Sequence, residues 1–136
     1  MQFEVLDISG DVGIRAYGGS LEELFINAAS GMYSLITDTD AIERRKTVEI
    51  EVESLSLEGL LVSWLNELIF QFDTYGFIGK EIEIMEFSEG RIKASIRGEE
   101  FDEERHEKRL LIKAATYHNL KIVRDGEWRA EVIFDI

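Results

Sequence analysis

The segment from Leu57 to Phe72 combines helical spacing with apolar content more strongly than any other part of the chain. Its apolar side chains recur at intervals of three and four residues, at Leu57, Leu60, Leu61, Trp64, Leu65, Leu68, Ile69 and Phe72. At about 100° per residue these positions share one broad face, which predicts an amphipathic helix that a sheet or another helix must cover. Ser56 is a suitable N-cap residue for this helix, and Gly76 is a suitable residue to end it. Leu55 and Leu60 have the spacing of a hydrophobic staple.

A second helix is predicted from Ser20 to about Thr37. The residues from Ser20 to Glu23 have the S-x-x-E spacing of a capping box. Helical periodicity then continues at Leu21, Leu24, Phe25, Ala28, Met32, Leu35 and Ile36.

Alternation of apolar and polar residues predicts strands between and after these helices. They lie at residues 3–5, 12–17, 48–53, 82–87, 91–97, 110–117, 120–124 and 127–134. Turn residues at 88–90 and at 125–126 predict two hairpins, and a partly continuous apolar run favours a central position for residues 110–117. The prediction is an α+β fold, a single two-layer domain over residues 1–136, with a largely antiparallel sheet and both long helices packed on one face.

Composition excludes several classes of function. The chain has no cysteine, so it has no disulfide framework, thiolate zinc site or thiol nucleophile. No apolar run approaches the roughly 20 residues of a membrane span, and the N-terminal residues lack a signal-peptide pattern, so we expect a cytoplasmic protein that does not contact membranes. The formal net charge of −13 argues against direct nucleic-acid binding and favours a basic protein partner or a cation.

Sequence motifs of catalysis are missing. The two histidines, His106 and His118, have no serine or aspartate at a recognisable triad spacing, and no phosphate-binding or zinc-protease motif is present. A lone histidine on a strand is more often a surface or core group than a catalytic one. We therefore assign neither histidine a catalytic role.

Carboxylates at the two ends of the sequence form a better candidate site. Asp11 lies in a turn beside Gly10 and Gly13, and Asp135 immediately precedes the terminal carboxylate of Ile136. If these groups met, they would repel one another unless a cation or proton lay between them, and hard cations such as Ca²⁺ prefer oxygen ligands. Solvated acids are the alternative interpretation. Lys113, which interrupts an apolar run, either faces water or contacts a carboxylate or a partner.

Several segments together resemble the archease family, over nearly the whole chain and in the family's order. The resemblance is carried by GDVGI (10–14) with AYG (16–18), LLVSWLNEL (60–68), FDT (72–74), GE (98–99) with FD (101–102) and RHE (105–107), KAATYH (113–118), and Trp128 with FDI (134–136). The chain departs from the family at residues 7–11, where Ile8 replaces the histidine of D-H-T-A-D and both acids remain.

The resemblance implies a protein cofactor rather than an enzyme, containing a strand-helix-strand-strand module. Archease-like proteins activate the RtcB-type tRNA-splicing RNA ligase, promoting its GTP-dependent guanylylation and multiple turnover. The family's metal site matches Asp11, Asp135 and Ile136, which implies a divalent ion, with Ca²⁺ first and Mg²⁺ or Mn²⁺ as alternatives. Lys113 matches a position that is important for activation of the partner.

Two other functions stay open. One is a chaperone or adaptor for tRNA-modifying enzymes such as methyltransferases, a role also proposed for archease-like proteins. The other is a small metal-dependent hydrolase that uses the same carboxylates, although no histidine or lysine lies at a recognisable acid–base spacing from them.

Overall fold

The computed structural model describes residues 2–136, apart from the side chain of residue 8, so the substitution at Ile8 lies outside the described side chains. The elements in chain order are β1 (Phe3–Ile8), β2 (Asp11–Gly18), α1 (Leu21–Ile36), β3 (Lys46–Glu53), α2 (Leu57–Tyr75), β4 (Phe77–Ser88), β5 (Arg91–Glu100), β6 (Ala114–Ala115), β7 (Lys121–Asp125) and β8 (Glu127–Asp135). A short 3₁₀ turn, Thr39–Ala41, precedes β3. Neither helix within the described residues is long and apolar enough to span a membrane.

The strands pair antiparallel in two sheets. One sheet has the order β1-β2-β8-β6, with β7 also paired to β8, and the other has the order β3-β5-β4. The predicted α+β class is confirmed, and the strands that the prediction placed in one sheet are divided between two. Elements β3-α2-β4-β5 form the strand-helix-strand-strand module.

Helix α2 forms as its spacing predicts. Ser56 caps it by accepting a hydrogen bond from the Gly59 N–H at 2.9 Å, and Gly76 ends it in the left-handed region at φ 69°. The predicted face is buried, with Leu60, Leu61, Trp64, Leu65 and Leu68 fully enclosed. The predicted staple is wrong, because the Leu55 side chain is fully exposed and cannot cover Leu60.

The two helices join both sheets into one core. Helix α1 is capped by Ser20, which accepts from the Glu23 N–H at 3.1 Å, as predicted. Each helix contacts strands of both sheets and the other helix. The Trp64 indole N–H donates to the Phe25 carbonyl at 3.0 Å, so a buried polar bond fixes α2 against α1.

The predicted strand at residues 110–117 is largely absent, and its predicted central position is wrong. Only Ala114 and Ala115 are in strand conformation, as the edge strand β6 paired with β8. The preceding residues bond elsewhere, because the Arg109 and Leu110 N–H groups donate to carbonyls in the last turn of α1 at 3.0 Å each. Those carbonyls have no partner within the helix, so they compete with the sheet for this segment.

Candidate functional site

The pairing of β2 with β8 brings Asp11 and Asp135 together. Val12 lies opposite Phe134 and Gly13 opposite Ile133, so the β2–β8 ladder ends at the two residues that adjoin Asp11 and Asp135. Directly opposite residues of antiparallel strands have Cβ atoms about 4.5–5.5 Å apart. Both aspartates are exposed at the same end of the five-stranded sheet. The register therefore brings two carboxylates that are distant in the sequence to the same end of the β2–β8 pair.

Lys113 and Ile136 lie at the same end of the sheet. Ala114 is paired with Asp135, and the Lys113 N–H donates to the Asp135 carbonyl at 2.8 Å. Ile136 follows Asp135 directly, and half of its surface is exposed. The structure thus groups all four residues that the sequence analysis singled out, while their roles in metal binding and partner activation stay predictions.

The donor set fits a hard divalent cation. Within residues 2–136, neither Asp11 nor Asp135 forms an ion pair at 4.0 Å or less. Like charges directly opposite in a sheet repel, and a cation between them would remove that repulsion. The described part of the chain holds no group of three or more His, Cys, Asp or Glu side chains suited to a metal. The predicted site has two such side chains, and its third ligand is a main-chain carboxylate.

Local backbone geometry places Asp11 at the start of β2. Ser9 and Gly10 both have positive φ, 50° and 86°, as a two-residue hairpin turn of the primed type requires. A Cβ on Gly13 would lie 2.7 Å from the Val132 carbonyl oxygen, so only glycine lets β2 approach β8 this closely. The glycines noted beside Asp11 in the sequence thus shape the turn and the strand pairing.

His118 borders the same surface. A cavity of about 130 Å³ is lined by Leu6, Asp11, His118, Asn119, Glu131 and Ile133. The His118 side chain is exposed, and its main-chain N–H donates to the Thr116 hydroxyl at 3.2 Å. The sequence alone assigns His118 no role, and its position in the segment KAATYH together with Lys113 is the pattern that could have linked it to this surface.

Asn66 fixes strand β6, which directly follows Lys113. Its side-chain carbonyl accepts from the Ala115 N–H at 2.8 Å, and its amide donates to the Ala115 carbonyl at 3.4 Å. An amide side chain thus pairs with β6 much as another strand would. Sequence reasoning missed this role, because Asn66 lies inside an apolar helix and its partner is 49 residues away.

Replacing Asn66 with alanine should lower the free energy of unfolding by about 1–2 kcal/mol, because the Ala115 N–H loses its acceptor. Native-state hydrogen exchange should show faster exchange at Ala115 and at Lys113. Asn66→Asp keeps the acceptor oxygen and should retain most of the Ala115 protection. Equal protection in the alanine variant and the parent would contradict this role for Asn66.

A second polar cluster surrounds the buried carboxylate of Glu99 on β5. Its Oε2 accepts from the Glu43 N–H at 2.5 Å and lies 3.1 Å from His106 Nε2, and Arg105 bonds its other oxygen. The His106 Nδ1 accepts from the Asp102 N–H at 2.9 Å. The neutral ring therefore carries its proton on Nε2 and donates it to Glu99.

This cluster holds the connection after β5 in place. Burial by itself raises the pKa of Glu99, but the bonds from Arg105, the Glu43 N–H and His106 outweigh it and lower the pKa from 4.5 to about 2. Because its groups bond one another, we assign the cluster a structural role. Charged residues surround His106 in the sequence, so its burial could not be predicted from them. The neighbouring apolar residue that indicates burial is Phe101, which stacks on the imidazole with 5.4 Å between the ring centroids.

The fold and the site together define a small antiparallel α+β protein in which the start of β2 and the end of β8 lie at one carboxylate-bearing end of a sheet. A model of the archease protein family matches residues 3–136. The chain therefore belongs to the archease family, as the resemblance in its sequence predicts.

Individual members of the family are similar to this chain over almost their whole length. The chain is 38% identical to the protein archease of Pyrococcus furiosus over 140 residues, covering 99% of each chain, and 37% identical to that of Methanopyrus kandleri, covering 100% of each. The solution structure of Methanobacterium thermoautotrophicum protein 1598 is similar with a TM-score of 0.75, 38% identity and 98% coverage of both chains. A Thermotoga maritima crystal structure described as an archease and possible chaperone shares the fold, with a TM-score of 0.66, 23% identity, and coverage of 96% of this chain and 94% of that one.

Proposed function

We propose that this chain is a protein cofactor that activates an RtcB-type tRNA-splicing RNA ligase by promoting its GTP-dependent guanylylation and multiple turnover. Membership in the archease family supports the choice of partner. The single observation that supports the mechanism is the register of β2 with β8, whose last pair, Val12 with Phe134, adjoins Asp11 and Asp135. The Lys113 N–H donates to the Asp135 carbonyl at the same end of the sheet. In this proposal the chain serves the chemistry of another protein and has no catalytic activity of its own.

Asp11, Asp135 and the terminal carboxylate of Ile136 are the residues that we propose to hold a divalent ion. Three anionic oxygen groups suit Ca²⁺ first, and Mg²⁺ or Mn²⁺ as alternatives. When bound, the ion supplies positive charge that offsets repulsion among the carboxylates. The β2–β8 ladder ends next to the two aspartates, and a main-chain hydrogen bond holds the backbone of Lys113 beside that of Asp135.

The overall charge supports encounter with a ligase. A protein that binds RNA presents basic surface, and a chain with a net charge of −13 is attracted to it. Electrostatic steering of this kind raises the association rate and weakens with added salt. The apolar side chains of Leu111 and Tyr117, both more than half exposed near Lys113, add area that a protein partner could cover.

Asp135→Asn tests the proposal because it removes one charge while keeping the size of the side chain. We expect at least a tenfold loss of ligase guanylylation and turnover, measured with purified ligase, GTP and Mn²⁺. Asp125→Asn is the matched control, since Asp125 lies in the β7–β8 hairpin, outside the proposed site, and should activate normally. Full activation by a folded Asp135→Asn protein would exclude a role for that carboxylate.

Metal binding needs a measurement that is separate from ligase activity. Titration with Ca²⁺, Mg²⁺ and Mn²⁺ by calorimetry should show a site that Asp11→Asn and Asp135→Asn each weaken at least tenfold. A two-residue Gly-Ser extension after Ile136 moves the terminal carboxylate and should weaken binding as well. Lys113→Ala, compared with Lys121→Ala, should reduce ligase activation and leave metal affinity nearly unchanged. Unchanged ion affinity in Asp11→Asn, in Asp135→Asn and in the extended chain would refute the proposed ligand set.

A chaperone or adaptor for tRNA-modifying enzymes such as methyltransferases is the second candidate. The exposed apolar side chains beside Lys113 and the description of the Thermotoga maritima protein as a possible chaperone favour it. Affinity capture from a cell extract separates the two candidates. A ligase activator should recover chiefly the ligase, and an adaptor should recover methyltransferases at comparable yield.

A further inference from the structure

Strand β3 forms an edge of the three-stranded sheet. Within residues 2–136 it pairs with β5 alone, over the eight residues Lys46–Glu53. An edge strand of this length presents a row of unpaired backbone groups, which natural proteins usually protect or use for binding. The free edge of β3 therefore has backbone groups that can pair with a further strand.

The register shows which backbone groups are free. The Ser54 N–H donates to the Gly90 carbonyl at 3.0 Å, in line with the pairing of Glu53 with Arg91. Because hydrogen-bonded pairs recur at every second residue, Val48, Ile50 and Val52 direct their N–H and C=O groups towards β5. The alternate residues, Glu49, Glu51 and Glu53, direct theirs towards the free edge.

The two faces of this edge differ sharply in chemistry. Glu49, Glu51 and Glu53 are exposed on the outer face, where Arg91 of β5 donates to Glu51 at 2.9 Å and lies 3.7 Å from Glu53. On the inner face Val48 and Val52 are only half-buried, although Ile50 between them is buried. The free edge thus combines a row of carboxylates with a row of incompletely covered valines.

A groove continues the inner face along helix α2. It has a volume of about 480 Å³ and is lined by Val52, Glu53, Ser63, Asn66, Glu67 and Phe70. Half of the Phe70 surface is exposed. The lining contains two glutamates and no lysine or arginine, so the groove combines negative charge with the apolar side chains of Val52 and Phe70.

We propose that the free edge of β3 binds an extended segment of a partner protein in which basic and apolar residues alternate. Such a segment would continue the sheet through main-chain hydrogen bonds to Glu49, Glu51 and Glu53. Its basic side chains would lie beside the three carboxylates, and its apolar side chains would face Val48, Val52 and Phe70. A second copy of β3 is disfavoured because it would place glutamates beside glutamates. The inference is independent of the proposed metal site, which lies on the other sheet.

A synthetic peptide, acetyl-KVKIKVK-amide, is a direct probe. In ¹H–¹⁵N NMR titrations it should perturb the amides of residues 47–53 and of Phe70, and hydrogen exchange should slow at Glu49, Glu51 and Glu53. The acidic analogue EVEIEVE and the block-scrambled peptide KKKKVIV should bind at least tenfold more weakly. Equal binding of the scrambled peptide, or perturbations that avoid β3, would overturn the proposal. A concentration-dependent dimer that buries β3 would identify a second copy as the occupant and overturn it as well.

Backbone pairing is tested on both partners. Glu49→Pro removes an outward N–H and leaves the ladder to β5 intact, which edge strands tolerate, so peptide affinity should fall at least tenfold. Glu49→Gln removes only the charge and should weaken binding about 1.5- to 5-fold. A peptide N-methylated at alternate residues tests the same bonds on the unmodified protein and should also bind at least tenfold more weakly. Two such peptides are needed, one N-methylated at the odd-numbered residues and one at the even-numbered residues. Undiminished affinity of both peptides would exclude strand addition.

Discussion

Replacing Trp64 with alanine should lower the free energy of unfolding by about 4 kcal/mol, the largest stability effect that we expect from a single substitution. The side chain is fully buried in the middle of α2, and its indole N–H donates to the Phe25 carbonyl on α1. Removal leaves a cavity lined by both helices, and truncation of a buried tryptophan costs about 3–5 kcal/mol. Chemical denaturation followed by circular dichroism measures this difference, since it does not depend on the tryptophan that is removed.

Two further variants identify the source of this effect. Trp64→Phe keeps most of the apolar volume and loses the hydrogen bond, so it should cost about 1–2 kcal/mol. Phe70→Ala, on the exposed side of the same helix, should cost no more than about 1 kcal/mol. A Trp64→Ala loss as small as that of Phe70→Ala would show that the two helices do not share one core at this point.

Glu99→Ala is expected to have the second largest effect, about 3 kcal/mol. The substitution leaves the His106 Nε2–H and the Glu43 N–H without their acceptor, and His106 is completely buried. Leaving buried donors unsatisfied costs about 1–3 kcal/mol for each group. Glu100→Ala is the matched control, because Glu100 is the exposed neighbour of Glu99 and should change stability by less than about 0.5 kcal/mol.

The pH dependence gives this prediction a distinctive signature. The pKa of Glu99 is about 2 in the folded chain, against 4.5 for the ordinary side chain. The stabilisation is therefore fully present above about pH 5 and is lost as the pH falls from 4.5 towards 2, because only the unfolded chain takes up the proton in that range. Glu99→Gln should be less stable at pH 7 and should lose less stability on acidification than the parent. Parallel stability curves for the two proteins would contradict the low pKa.

Both helices and the two predicted hairpins follow from local rules. Each of these features involves residues that are close in the sequence. They are the N-caps Ser20 and Ser56, the periodic apolar faces of the helices, and the C-cap Gly76. Such short-range features can be recognised from neighbouring residues alone, without knowledge of tertiary contacts. The same holds for the turn at Gly126, whose φ of 79° explains the glycine in the last hairpin.

The remaining features depend on contacts that are distant in the sequence. Residues 110–113 have strand-like composition, but the carbonyls at the end of α1 take up the Leu110 N–H, and β6 keeps only two residues. The burial of His106 depends on Glu99 and on the Glu43 backbone, which no local pattern encodes. The proximity of Asp11 to Asp135 was open for the same reason, since it depends on the register of two strands at opposite ends of the sequence.

The position of β8 has a consequence for synthesis on the ribosome. This strand separates β2 from β6 and β7, yet it is translated after all of them. Val12 must wait for Phe134, about 120 residues later, a delay on the order of ten seconds at cellular elongation rates. Throughout that interval the β1–β2 hairpin has an open side, so the nascent chain is most vulnerable to aggregation and to chaperone capture until its final segment emerges.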